Sequence, residues 1–151
     1  MTSHRASRTV FVLNGPNLNL LGHRDPAVYG SATLADVEQL CREEGERLRL
    51  EIDFRQSNHE GELIDWVHEA FFSGAAVVGN FVAYTHTSIA LMDALEPVKA
   101  PLVEVHISDI HAREEFRHQS WVGRVADDAV IGQGVAGYAE ALRRVAALLD
   151  Q

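Results

Sequence analysis

This chain predicts a single α/β domain: a five-stranded parallel sheet in the order 2-1-3-4-5, with helices on both faces. Five short, mostly apolar runs alternate with longer segments of helical period, and apolar runs of that kind are strands covered on both faces. The 151 residues, 46% of them hydrophobic, suffice for one domain with a full core. Five β–α units joined by right-handed crossovers give, at this length, the flavodoxin-like strand order.

The polar opening, residues 1–8, reads as a disordered tail, which leaves residues 9–151 as one domain. Strand one covers residues 9–13. A connection of roughly 18 residues follows, and loops of that length without secondary structure are usually binding or active-site loops. Thr33-Leu-Ala-Asp36 resembles a capping box, and Leu34, Val37, Leu40 and Cys41 fall on one face of the helix it opens. Strand two is expected at residues 50–54. Ser57-Asn-His-Glu60 resembles a second capping box, followed by Leu63, Ile64, Val67 and Ala70 on an apolar face. Strand three is expected at residues 75–79, a third helix at about 87–95, strand four at 102–105 and strand five at 129–131. The last helix should run over residues 135–149.

The formal charge is −9, with 22 acidic against 13 basic residues, a poor fit to nucleic acid or an anionic membrane. Lys99 is the only lysine, and it lies between Pro97 and Pro101 in an expected surface loop. Imine catalysis is therefore not expected, whereas the arginines suit recognition of carboxylates. Cys41 is the only cysteine, so no internal disulfide forms and a reducing compartment is expected. No apolar run follows Met1 and none approaches the length of a membrane span. A cytoplasmic location is the expectation.

In such a sheet, ligands bind beyond the carboxyl ends of the strands, at the switch between strands 1 and 3. The polar residues fall there: Asn14 to Tyr29 after strand one, Asn80 and Thr85-His86-Thr87 after strand three, and His106, Ser108, Asp109, His111 and Arg113 after strand four. Tyr29 can be a base near neutral pH only if a cation favours its phenolate, which Arg24 could supply. The same pair also suits a packed tyrosine beside a solvated arginine. Strand alternation puts Glu104 and His106 on one face, where the carboxylate could orient an imidazole acid; a structural histidine is the alternative. His86 could cap backbone or bind a ligand. Arg113 and Arg117, at i and i+4, could grip an anionic or hydroxylated substrate or pair with nearby acids.

Several sharper motifs fail. Gly132-Gln-Gly-Val-Ala-Gly137 follows the last strand, with too little chain after it for a dinucleotide fold, and reads as a tight strand-to-helix turn. The first loop is not followed by Gly-Lys-Ser/Thr, and there is no G-x-S-x-G elbow. The eight histidines show no metal-ligand spacing. No metal or cofactor is expected.

Six motifs in order resemble the type II 3-dehydroquinate dehydratases over residues 9–149: Asn14-Gly-Pro-Asn-Leu-Asn-Leu-Leu-Gly22, Tyr29-Gly30, Arg55-Gln-Ser-Asn-His-Glu-Gly-Glu-Leu-Ile-Asp65, Tyr84-Thr-His-Thr-Ser88, Val103-Glu-Val-His-Ile-Ser108 and His111-Ala-Arg-Glu-Glu-Phe-Arg-His118. The resemblance implies a flavodoxin-like, cofactor-free lyase that dehydrates 3-dehydroquinate to 3-dehydroshikimate in the shikimate pathway or quinate catabolism. It also implies trimers stacked into a dodecamer. By the same resemblance Tyr29 is the base, activated by Arg24 on a closing loop, and Asn17 holds the water that stabilises the enolate. His106, oriented by Glu104, is the acid. The amides of Ile107 and Ser108 take the substrate carboxylate, Asn80, His86 and Arg117 bind its hydroxyls, Arg113 supports the lid, and Asp93 reaches in from a neighbouring subunit.

Two departures from the family pattern fall near the substrate. Phe81-Val82 replaces residues that are usually small or proline, which restricts the backbone and adds bulk. Asp109 replaces a usual asparagine; turned inward, about 4 Å from the substrate carboxylate, its charge would cost roughly 1–4 kcal/mol. Turnover with a weakened KM is the expectation. A non-catalytic paralogue binding a related cyclic carboxylic acid is the alternative.

Overall fold

The computed structural model describes residues 7–151, apart from the side chains of Val28 and Tyr29. Five strands, β1 (Thr9–Asn14), β2 (Glu51–Gln56), β3 (Ala76–Asn80), β4 (Leu102–His106) and β5 (Asp128–Ile131), pair in parallel in the order β2-β1-β3-β4-β5. The expected strand order and both-faced packing are therefore the observed ones. Helices are α1 (Pro26–Tyr29), α2 (Leu34–Leu48), α3 (Glu60–Ser73), α4 (Tyr84–Thr87), α5 (Ile89–Leu95) and α6 (Gly137–Leu149).

Alternation along each strand divides the core in two. Val10 and Val12 of β1, Val78 of β3 and Val105 of β4 pack with α2 and α6, around Val37, Tyr138 and Leu142. Phe11 and Leu13 of β1 and Val77 of β3 pack on the other face with Leu63 and Val67 of α3 and Leu91 and Leu95 of α5. Each large apolar side chain buried in this way is worth about 1.5–3 kcal/mol, which pins the register and brings the ends of β1 and β3 level, with Asn14 beside Asn80.

The helix starts follow local chemistry. Both arms of the Thr33–Asp36 capping box are present, at 3.2 Å to the Thr33 hydroxyl and 2.9 Å to the Asp36 carboxylate. The second expected box does not form. Ser57 is tied to the end of β1 through its N–H to Asn14 O, and its hydroxyl accepts from His59 N–H at 2.9 Å. His59 thus becomes the N-cap of α3 with no side-chain cap. The third helix begins earlier than expected and breaks at Ser88 (φ −99°, ψ 96°), whose hydroxyl caps α5 by accepting from Leu91 N–H. Gly132 and Gly134, at φ 77° and 66°, turn the chain from β5 toward α6, as the reading of a tight turn requires.

Arg8, at the edge of the expected tail, donates to the carbonyls of Leu48 and Arg49 and pairs with Asp150 at 2.8 Å. It satisfies carbonyls that the end of α2 would otherwise leave open. Residues 1–6 lie outside the described residues.

Candidate active site

A crevice with about 350 Å³ of open space lies beyond the carboxyl ends of β3 and β4. Asn80, His86, His106, Ile107, Ser108, Arg113 and Arg117 line it, together with Leu18, Val82 and Ile110. A second crevice, formed by the first loop, is lined by Pro16, Asn17, Leu18, Leu20, Leu21 and Arg24 and shares Leu18 and Val82 with the first. Placement and polar lining suit a small polar ligand.

At the centre, His106 Nε2 lies 2.5 Å from Glu104 Oε2, and both side chains are buried. A carboxylate can only accept, so Nε2 carries the proton and Nδ1 is the nitrogen left for other work. The same Glu104 oxygen accepts from Thr85 Oγ1 at 3.1 Å and from the Ser120 hydroxyl. Burial pushes the Glu104 carboxyl up, but the hydrogen bonds from His106, Ser120 and Thr85 and the nearby imidazole outweigh it and hold the group below its ordinary value. Glu104 is therefore an anion at neutral pH.

His86 stacks near His106, with ring centroids 6.4 Å apart and planes 22° apart. Its Nδ1 donates to Gln119 O at 2.7 Å. Burial pulls the His86 imidazole below its ordinary value, His106 and Arg117 add to this, and the Gln119 hydrogen bond opposes it. A neutral ring with its proton on Nδ1 presents Nε2 as an acceptor, suited to a ligand hydroxyl.

Around these, Arg113 approaches Ser108 Oγ at 3.5 Å, and Arg117 pairs with Glu114 at 2.7 Å while still facing the crevice. Two guanidiniums beside the end of β4 give this part of a −9 chain a local positive field. Asn17 adopts φ 71°, and its N–H donates to Asn58 Oδ1 at 2.9 Å. Among the described residues no three His, Cys, Asp or Glu side chains converge as a metal site would require.

Seven of the candidate residues thus share one crevice, with Glu104 behind His106 and with Arg24 and Asn17 in the adjoining one. Asp93 is exposed on α5 and lines neither crevice. The backbone of Tyr29 ends α1, but its side chain lies outside the described residues. Asp109 is exposed, and its carboxylate accepts from His111 N–H at 3.0 Å, capping the following turn. Val82 sits at φ 53° on the wall between the crevices, a left-handed conformation that a β-branched residue rarely adopts. Sequence reading missed Ser120 and Gln119 as the partners of Glu104 and His86. No local pattern marks them, since they reach the site from 16 and 33 residues away.

Comparison with known proteins gives one consistent family. The model for class II dehydroquinase matches residues 8–146. A 3-dehydroquinate dehydratase of Streptomyces avermitilis is 56% identical over 146 residues, covering 96% of this chain and 92% of the relative. The 3-dehydroquinate dehydratase 2 of Ralstonia nicotianae is 59% identical over 143 residues, covering 89% and 91%. The crystal structure of type II dehydroquinase from Propionibacterium acnes superposes with a TM-score of 0.90 at 42% identity, covering 95% of this chain and 99% of that one.

Proposed function

Since the chain belongs to the class II dehydroquinase family and is an enzyme of 3-dehydroquinate dehydration, we propose that the reaction is an anti elimination through an enolate, with Tyr29 as base and His106 as acid. Tyr29, held as a phenolate by Arg24, takes the proton α to the ketone, and the C–H electron pair becomes the enolate. A water on Asn17 stabilises the enolate oxygen. Collapse of the enolate forms the carbon–carbon double bond and breaks the C–O bond to the β-hydroxyl. That hydroxyl takes a proton from His106 and leaves as water.

The observation that carries this reading is the buried His106–Glu104 pair at 2.5 Å opening on a crevice lined by Asn80, His86, Arg113 and Arg117. Glu104 fixes the ring and balances the charge of the acid form, as a carboxylate does for an imidazole that must donate. His86 accepts from a substrate hydroxyl, and Asn80 and Arg117 bind the others. The amides of Ile107 and Ser108 take the carboxylate, with Arg113 supporting the lid. Engagement of Asp109 with His111 N–H supports the reading of a working site over that of a non-catalytic binder, because the carboxylate already serves the following turn.

The assembly proposed is the trimer-based dodecamer, in which Asp93 serves a neighbouring crevice. The product feeds the shikimate pathway or quinate catabolism, in the cytoplasm; no described helix is long and apolar enough to cross a membrane. The mechanism is tested with substrate deuterated stereospecifically at the α carbon. Deuterium on the face anti to the departing hydroxyl should be lost and the other retained, read by mass spectrometry of the product. Loss from the syn face would rule the mechanism out.

A further inference from the structure

We infer that Tyr138, a fully buried residue of α6, is a positioning residue that sets which end of the Asn80 amide faces the substrate. The inference rests on the proposed role of Asn80 as a ligand for a substrate hydroxyl. Its basis is a chain of four groups whose polarity is forced from one end. Asn14 Nδ2 lies 2.9 Å from Arg55 O and 3.3 Å from Val12 O. Backbone carbonyls only accept, so the Asn14 amide must turn its nitrogen toward them and its oxygen away. That oxygen lies 2.7 Å from Tyr138 Oη and can only accept, so the phenol must donate to it.

The single proton of Tyr138 is thereby spent. Its oxygen lies 2.8 Å from the Asn80 amide and has only lone pairs to offer there, so Asn80 must present Nδ2 inward. The carbonyl Oδ1 is left on the crevice side, where Asn80 is part of the wall. Burial pushes the Tyr138 phenol above its ordinary value despite the Asn80 hydrogen bond, so its proton is present throughout the working pH range.

The consequence is chemical selectivity. An asparagine free to rotate can meet a hydroxyl or a carbonyl by flipping its amide, because oxygen and nitrogen are nearly isosteric. Asn80 cannot flip without leaving Tyr138 facing an acceptor with no proton to give. The crevice wall is therefore fixed as an acceptor that selects a donor, a ring hydroxyl, over a carbonyl at the same position. Neither Asn14 nor Tyr138 touches the substrate; both are 0% exposed. The link joins residues 58 and 124 positions apart, so nothing local in the sequence announces it.

The test uses deoxy analogues of 3-dehydroquinate that lack the ring hydroxyl at C4 or at C5, comparing kcat/KM or inhibition constants with the parent. Asn80→Ala identifies the hydroxyl that Asn80 reads, by lowering the preference for it by about tenfold. Tyr138→Phe and Asn14→Ala should each cut that same preference to within about threefold, while preference for the other hydroxyl is kept. A uniform loss across all three compounds would mean Tyr138 only supports the core, and it would overturn the inference. Preferences untouched by Asn80→Ala would overturn it at its premise, the ligand role of Asn80, without bearing on the relay. Neutron diffraction of the unmodified protein reads the relay with no substitution. A Tyr138 proton on the Asn14 side supports it; one aimed at Asn80 refutes it.

Discussion

Glu104 and His86 carry the chemistry of single residues here, and both do so by having their protonation biased. Glu104 is held as an anion by three donors, and His86 is held neutral chiefly by burial, with His106 and Arg117 adding to it. A histidine depressed in the folded state contributes stability that is present above its unfolded value of about 6.5 and is lost as pH falls through the folded value. The unfolding free energy should therefore decline as pH drops below 6.5, and His86→Gln should decline less over the same range. Denaturant titrations of both proteins from pH 8 to pH 5 check this; parallel curves would show that His86 is not depressed. Glu104 adds a loss of the same sign in a lower window, below about 4.5. Val82 is the residue at which local preference and structure conflict. Its φ of 53° costs about 1–3 kcal/mol, and the sequence showed this only as an unusual residue beside Asn80, without showing that the backbone there is left-handed.

Among the elements, the sheet was legible because its signal is long: five apolar runs alternating with four longer segments of helical period. The starts of helices were legible only where the capping groups had no stronger partner. Thr33 and Asp36 had none and formed the expected box. Ser57 did not, because β1 holds its N–H and its hydroxyl serves the intervening turn. The helix expected near residue 87 is broken by Ser88 so that α4 can aim Thr85 at Glu104 and His86 at Gln119, a tertiary demand invisible to periodicity. The segment that receives them, residues 119–121, works as a brace: Gln119 O fixes His86, the Ser120 hydroxyl donates to Glu104, and Trp121 N–H donates to Thr85 O. A hydrogen bond to a buried charge is worth about 1.5–3 kcal/mol. Ser120→Ala should therefore lower kcat by about tenfold or more while KM changes little, because it loosens the acid and leaves the substrate contacts in place. Steady-state kinetics decide it; an effect confined to KM would place Ser120 outside the catalytic chain.

For the whole molecule, the fold explains why one crevice collects residues from three chain segments: the switch between β1 and β3 leaves their ends open, and β4 adds its own. What one chain does not bring together is Asp93, which is exposed on α5 and lines neither crevice. On the proposed assembly it completes a neighbour's site. Two inactive variants, Asp93→Ala and His106→Ala, should then regain part of the activity when unfolded and refolded together, since some sites would receive one intact set. Mixtures no more active than their components would confine the site to a single chain. The net charge of −9 fits this arrangement, because the positive field that an anionic substrate needs is local to Arg24, Arg113 and Arg117 and does not depend on the overall balance.

The proposed mechanism sets a phenolate base, Tyr29, opposite an imidazole acid, His106. The most direct measurement is the ultraviolet absorbance of the conjugated enone product, followed for the native protein and for Tyr29→Phe, with binding of 3-dehydroquinate to the variant measured by calorimetry. With Tyr29 as the base, the native protein should show saturable turnover and the variant none detectable, with substrate binding largely intact. Near-normal turnover by Tyr29→Phe would contradict the mechanism and remove Tyr29 as the base.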